Sequence, residues 1–201
     1  DGVLLQGFFP GTEAAEVVVG KKSYPMILED EAGYYAVMLP MKRIPEYCFR
    51  VTRGSVKETF YDAYECPCQI TEEEERAFCA GVYYKAYQKL GAHPGTYGGV
   101  KGTYFAVWAP NAIRVSVVGD FDRWDGRRLP MHRMPMSGIF ELFVPGVKAG
   151  TAYQYEVKIK GGNIQRKSDP YGNGTQEPPS VLSVVADGAY TCLLYTSDAA
   201  D

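Results

Sequence analysis

Residues able to do chemistry are few in this 201-residue chain, and most fail on spacing. The five cysteines stand at positions 48, 66, 68, 79 and 192. An odd number with a tight Cys66-Pro67-Cys68 pair is not the pattern of a stapled secreted domain, so they read as buried or incidental thiols in a reducing cytosol. A metal site would need further ligands beside Cys66 and Cys68, yet the chain holds only His93 and His132 and no Cys-x-x-Cys. No metal or cofactor is expected. His93 sits in the Leu90-to-Gly95 segment, read as a turn, where a histidine's ordinary work is a structural hydrogen bond. Asp120, Asp122 and Asp125 before Gly126 faintly outline a calcium loop, but Trp124 takes the third ligand position and Met131 that of the closing glutamate. Acid/base hydrolysis needs two carboxylates on opposite sides of a scissile bond, and sequence alone places no such pair among the 24 acidic residues. No catalytic residue is assigned. Asn173-Gly174-Thr175 would accept a glycan only in a secreted chain, which the cysteines argue against. What remains is Gly119 to Arg128, where Phe121 and Trp124 sit in a charged turn between two strands.

The elements that must carry this turn are strands. Sixteen Tyr and 9 Phe, with Val in short alternating runs, suit half-buried β structure. Tyr104–Trp108, Arg114–Val118, Ile139–Val144 and Tyr153–Ile159 are four such runs, separated by Pro110-Asn111, Ser137-Gly138, Pro145-Gly146 and Gly161-Gly162-Asn163, which supply proline's preset φ and glycine's positive φ. Apolar types at 46% against 22% charged give enough material for a core and argue against disorder. A net charge of −3 disfavours nucleic acid and anionic lipid as partners. No apolar run approaches the ~20 residues of a membrane span. The start at Asp1-Gly2-Val3 is neither an initiator Met nor a charged signal region, and is expected to be a cut end.

The chain repeats itself. Gly2–Pro10 answers Gly102–Pro110 and Glu16–Val19 answers Ser116–Val118, roughly 100 residues apart. Gly33–Pro40 answers Gly138–Pro145, Tyr47–Val51 answers Tyr153–Val157, and Asp62-Ala63-Tyr64 answers Asp169-Pro170-Tyr171. Two copies of one sandwich are therefore expected. Between them Thr71 and Glu74 form a capping box with acidic residues in the first turn, so a short helix should begin there. Phe78, Val82 and Tyr83 at helical spacing should hold it against a neighbour. Trp108, amid strand residues, is expected to pack in the core.

Tyr87 through Val185 closely resembles the amino-terminal part of bacterial glycogen branching enzymes, including the glycogen-binding-type sandwich called CBM48. The words that carry the resemblance are YQKLGAHPGTYGGVKGTYFAVWAPNAIRVSVVGDFDRWDGRR, SGIFELFVPGVKAGTAYQYEVK and KSDPYG, about half the chain. The upstream copy resembles the additional N-terminal sandwich of longer branching enzymes. The implied architecture is all-β: two tandem immunoglobulin-like antiparallel β-sandwiches joined by a short helical linker. The expected divisions are a truncated N-terminal sandwich over 1–68, a helix-containing linker over 69–96, a CBM48-type sandwich over 97–186, and a junction over 187–201 whose last ten residues look adapter-derived.

The resemblance implies a cytoplasmic transferase of the amylase family that moves an α-1,4-glucan segment to form α-1,6 branches in glycogen biosynthesis. In that family an Asp nucleophile and a Glu acid/base lie in a (β/α)₈ barrel, expected to follow the second sandwich, so this stretch would be inactive alone. Its partners would be α-1,4-glucan (glycogen or amylose) and that barrel. Glucan contacts are expected at Trp124, whose indole offers a flat apolar face, and at Arg123, Asp125 and Arg127 for ring hydroxyls. Glycogen-binding members use a second Trp and a Lys as well, at places that fall here near Ile164 and on Gln154. The alternatives are a stand-alone glucan-binding regulatory module, or a module of another amylase-family enzyme such as a debranching enzyme or trehalohydrolase.

Overall fold

The structure, a computed structural model, describes residues 2–177 and 179–187. Nearly all of the sequence-expected junction over 187–201 lies outside them. The first half folds as β1 (Val3–Phe8), β2 (Ala14–Val19), β3 (Lys22–Pro25), β4 (Ile27–Asp30), β5 (Tyr34–Leu39), β6 (Cys48–Arg53) and β7 (Val56–Phe60). They form two antiparallel sheets, ordered β1-β5-β4 and β3-β2-β6-β7. Period-two alternation aims Leu5, Val17, Tyr35, Phe49 and Val51 into the space between them, where Phe9 meets Phe49 with ring centroids 5.0 Å apart.

After one helix, α1 (Glu72–Cys79), come β8 (Gly91–Tyr97), β9 (Val100–Trp108), β10 (Ala112–Gly119), β11 (His132–Arg133), β12 (Ile139–Pro145), β13 (Ala152–Ile159), β14 (Ile164–Lys167) and β15 (Ser183–Val184). One sheet runs β11-β12-β9-β8 and the other β10-β13-β14, with β15 also on β13. Phe105, Val115, Val117, Phe140, Tyr153 and Tyr155 fill the core between them. The described residues are thus all-β apart from α1 and two 3₁₀ turns.

The two sandwiches share one register. Leu5 pairs with Val37 as Phe105 pairs with Leu142, Ala15 with Val51 as Val115 with Val157, and Phe49 with Phe60 as Tyr155 with Lys167. Special positions repeat too. Gly33 and Gly138 both have positive φ, and a Cβ on them would lie 2.6 Å from Pro10 Cα and 2.7 Å from Pro110 Cα. Glycine is needed at both. Tyr47 Oη donates to Asp62 Oδ2 at 2.5 Å and Tyr153 Oη to Asp169 Oδ2 at 2.6 Å. In both copies the other carboxylate oxygen accepts the N–H two residues on, from Tyr64 and Tyr171, at 2.8 Å.

Three local expectations are corrected. Gly91–Tyr97 is a strand, not a turn or linker; β8 lies at a sheet edge, a position that tolerates a proline such as Pro94. Trp108 is half exposed rather than core, because β9 turns Phe105 and Val107 inward and Trp108 to the opposite face. There its Nε1 donates to the Ser137 carbonyl at 2.9 Å and its ring meets Phe78 of α1 at 5.9 Å. The helix ends at Cys79, so Val82 falls off its face and is 53% exposed, while Tyr83 Oη bonds back to Glu74 Oε1 at 2.8 Å. What chiefly pins α1 is Glu75. This fully buried carboxylate accepts the N–H groups of Met136 and Ser137 and the Ser137 hydroxyl, each at 2.9 Å.

Candidate functional site

The charged turn lies on the outer face of the sheet formed by β10, β13 and β14. Asp120–Asp122 makes a 3₁₀ turn, after which Arg123 (φ 63°) and Trp124 (φ 60°) both enter the left-handed region. Two consecutive non-glycine residues there are uncommon and need outside support. Asp122 provides it. Its Oδ1 accepts the N–H of Gly119 at 2.9 Å and of Trp124 at 3.0 Å, and the Gly119 carbonyl also takes the Trp124 N–H at 2.9 Å. Burial pushes the Asp122 carboxyl up to about 6, opposed by these two N–H groups and by Arg128.

Further on, Ser116 Oγ donates to the Gly126 carbonyl at 2.6 Å. Gly126 lies directly over Glu156: a Cβ there would meet the Glu156 Oε1 at 2.1 Å. Glu156 is itself held by Arg114 at 2.6 Å. The turn is therefore clamped to the sheet at both ends.

Trp124 is half buried, with its Nε1 donating to Asp120 Oδ1 at 2.7 Å. Arg166 of β14 donates to the Trp124 carbonyl at 2.8 Å and sets its guanidinium 5.7 Å from the indole centroid, a cation–π contact. Asp125 receives a bidentate pair from Arg127, at 2.9 and 2.7 Å, which holds its carboxyl below the usual range. Of the four residues expected from sequence, Trp124 and Asp125 stay on this face. Arg123 pairs with Glu58 of the first sandwich at 3.2 Å, and Arg127, while bonded to Asp125, also lies over the Phe8 ring at 5.6 Å.

Sequence reasoning missed Arg166, Glu156 and Arg114. The signal was available: with Tyr153 and Tyr155 inward, Gln154 and Glu156 must face outward, and Glu156 pairs directly with Arg166. Of the two further places that the resemblance pointed to, Ile164 is 52% exposed, whereas Gln154 is buried with its Nε2 3.4 Å from the Val181 carbonyl. His93 makes the expected structural bond to the Leu90 carbonyl at 2.9 Å. Cys48, Cys66, Cys68 and Cys79 carry free thiols. Among the described residues no cluster of His, Cys, Asp and Glu could hold a metal ion. An indole face edged by carboxylates and guanidinium groups is chemistry for a neutral polyhydroxyl ligand: stacking on its C–H face and hydrogen bonds to its hydroxyls.

Residues 89–172 match the family described as carbohydrate-binding module 48 (isoamylase N-terminal domain). The chain is 37% identical over 187 residues to the 1,4-alpha-glucan branching enzyme GlgB of Thermosynechococcus vestitus, covering 91% of this chain and 24% of that protein. It is 43% identical over 176 residues to the GlgB of Synechococcus sp. strain JA-3-3Ab, covering 83% and 23%. A solved pullulanase from Anoxybacillus sp. LM18-11 aligns over 92% of this chain and 25% of its own at 20% identity, with a TM-score of 0.41. The chain thus spans about a quarter of the length of the curated relatives it matches. Residues 89–172 thus match the carbohydrate-binding module 48 model, and the chain is similar in sequence to part of bacterial 1,4-alpha-glucan branching enzymes.

Proposed function

We propose that this chain is the glucan-holding part of a 1,4-α-glucan branching enzyme, which transfers an α-1,4-linked segment to make α-1,6 branches in glycogen. The observation that carries this reading is the Trp124 turn, clamped outward on a sandwich that matches a carbohydrate-binding family. The bond chemistry is assigned to a catalytic barrel, and the sandwiches orient glucan toward it. Trp124 stacks on a pyranose ring, Asp125 accepts from its hydroxyls and Arg166 donates to them. Arg123 and Arg127 hold the turn against the neighbouring sandwich rather than touching sugar. In the same reading the chain divides into a first sandwich to about residue 68, a linker that closes before β8, and a second sandwich ending near 186. The four free thiols fit a cytoplasmic protein. The test is retention in glycogen-containing gels, for the protein and for its Trp124→Ala variant, alongside a branching assay of the polypeptide joined to a catalytic barrel. Retention largely lost on the substitution, with branching only in the joined protein, is the expected result.

A further inference from the structure

A cavity of about 350 Å³ opens between the two sandwiches, on the other side of the Trp124 turn. One wall is aromatic and comes from the first sandwich and the segment after it: Phe8, Phe60 and Tyr64. The opposite wall comes from the second and mixes Asp120, Asp122 and Arg123 with Phe121, Leu129 and Val144. Glu58 bridges them, with Oε1 3.2 Å from Arg123 and Oε2 2.5 Å from Arg53. Tyr64 ties the rim by donating to the Pro130 carbonyl at 2.9 Å.

One group in this cavity is unsatisfied. Asp122 is 1% exposed, and while its Oδ1 takes two backbone N–H groups, its Oδ2 is buried with no hydrogen-bond partner. A buried carboxylate oxygen left unpaired is costly and is ordinarily met by a donor. The walls carry four carboxylates, Glu58, Asp62, Asp120 and Asp122, against two guanidinium groups, Arg123 and Arg128, so an anionic guest is disfavoured and acceptors for hydroxyl donors are in excess. A neutral guest with hydroxyl donors and an apolar face fits both walls. The volume is at the lower end of the ~300 to 1,000 Å³ of small-ligand pockets, enough for a short segment and not for a polymer coil.

We propose that this inter-sandwich cavity is a second carbohydrate site, taking one or two pyranose rings of a glucan chain end. Ring hydroxyls donate to the carboxylates that line the cavity while the ring's C–H face lies on Phe8 and Phe60. The inference rests on the glucan-handling reading above but not on Trp124. Because both sandwiches supply a wall, occupation locks their mutual orientation.

The test is isothermal titration with maltotriose of the protein, of Trp124→Ala and of Phe8→Ala, with a thermal melt of each. Phe8 lies on the outer side of β1 and outside the first core, so its removal should leave the fold. Two sites are expected in the unaltered protein, one surviving in each variant. Amide shifts at Phe8, Phe60 and Asp122 during maltotriose titration of the unaltered protein supply the same answer without substitution. A single site lost with Trp124→Ala and no shift at those three residues overturns the cavity and leaves the proposed function standing. A single site lost with Phe8→Ala alone supports the cavity and retires Trp124. No maltotriose binding at all overturns both.

Discussion

Glu75 and Asp122 are two buried carboxylates with opposite consequences for pH. Replacing Glu75 by Ala leaves the N–H groups of Met136 and Ser137 and the Ser137 hydroxyl without an acceptor. At about 1 kcal/mol or more per abandoned group, the loss should reach about 3 kcal/mol in urea unfolding, with Gln at 75 recovering most of it. Burial raises the Glu75 carboxyl, but the Ser137 and Met136 donors outweigh it and hold the pKa below the usual value. Its contribution is therefore present above the unfolded carboxylate pKa and lost as pH falls through the lower folded one. Asp122 runs the other way. Its carboxyl is pushed up to about 6, so the folded state binds the extra proton and stability declines as pH rises from the unfolded aspartate range to about 6. Asp122→Asn keeps an oxygen for Gly119 and Trp124 and should flatten that decline, read from denaturation midpoints across pH. A steeper decline in the variant would contradict the assignment.

At the scale of elements, the repeat makes a paired forecast. Gly33→Ala and Gly138→Ala each drive a Cβ onto a proline backbone at positive φ, so both should destabilise their own sandwich by about 2 kcal/mol or more. Gly126→Ala should instead spare the core and loosen the turn, since its Cβ meets the flexible Glu156 side chain. Differential scanning calorimetry of the three variants separates these cases. The repeat was legible because strand words and turn residues are local: Pro10 and Pro110, Gly33 and Gly138, Tyr47 and Tyr153 each announce the same position twice. Other features depend on what packs from afar. Trp108 looks like core by its neighbours in sequence, yet it lies on the outer face of β9, which α1, arriving from the linker, covers only in part. The turn around Trp124 was legible as a motif. That Arg123 and Arg127 serve the other sandwich was not, because Glu58 and Phe8 lie more than 60 residues upstream and no periodicity links them.

At the scale of the whole molecule the sandwiches meet through modest ties. The Arg123–Glu58 pair is exposed on both sides, 57% and 42%, so Arg123→Ala should cost less than about 1 kcal/mol in stability. Its effect should show instead as altered relative orientation of the sandwiches by residual dipolar couplings. With no bond chemistry assigned to these residues, the purified chain should bind glucan and form no α-1,6 linkages from amylose. The central claim, that Trp124 presents a sugar-stacking face, is met most directly by affinity electrophoresis in glycogen gels of the protein and Trp124→Ala, each with a thermal melt. The account predicts clear retardation of the protein, loss of most of it in the variant, and closely similar melting temperatures, because Trp124 is a half-buried turn residue rather than core. Unchanged retardation in the variant, or a collapse of its melt of the kind that losing about 3 to 5 kcal/mol of core packing produces, would contradict it.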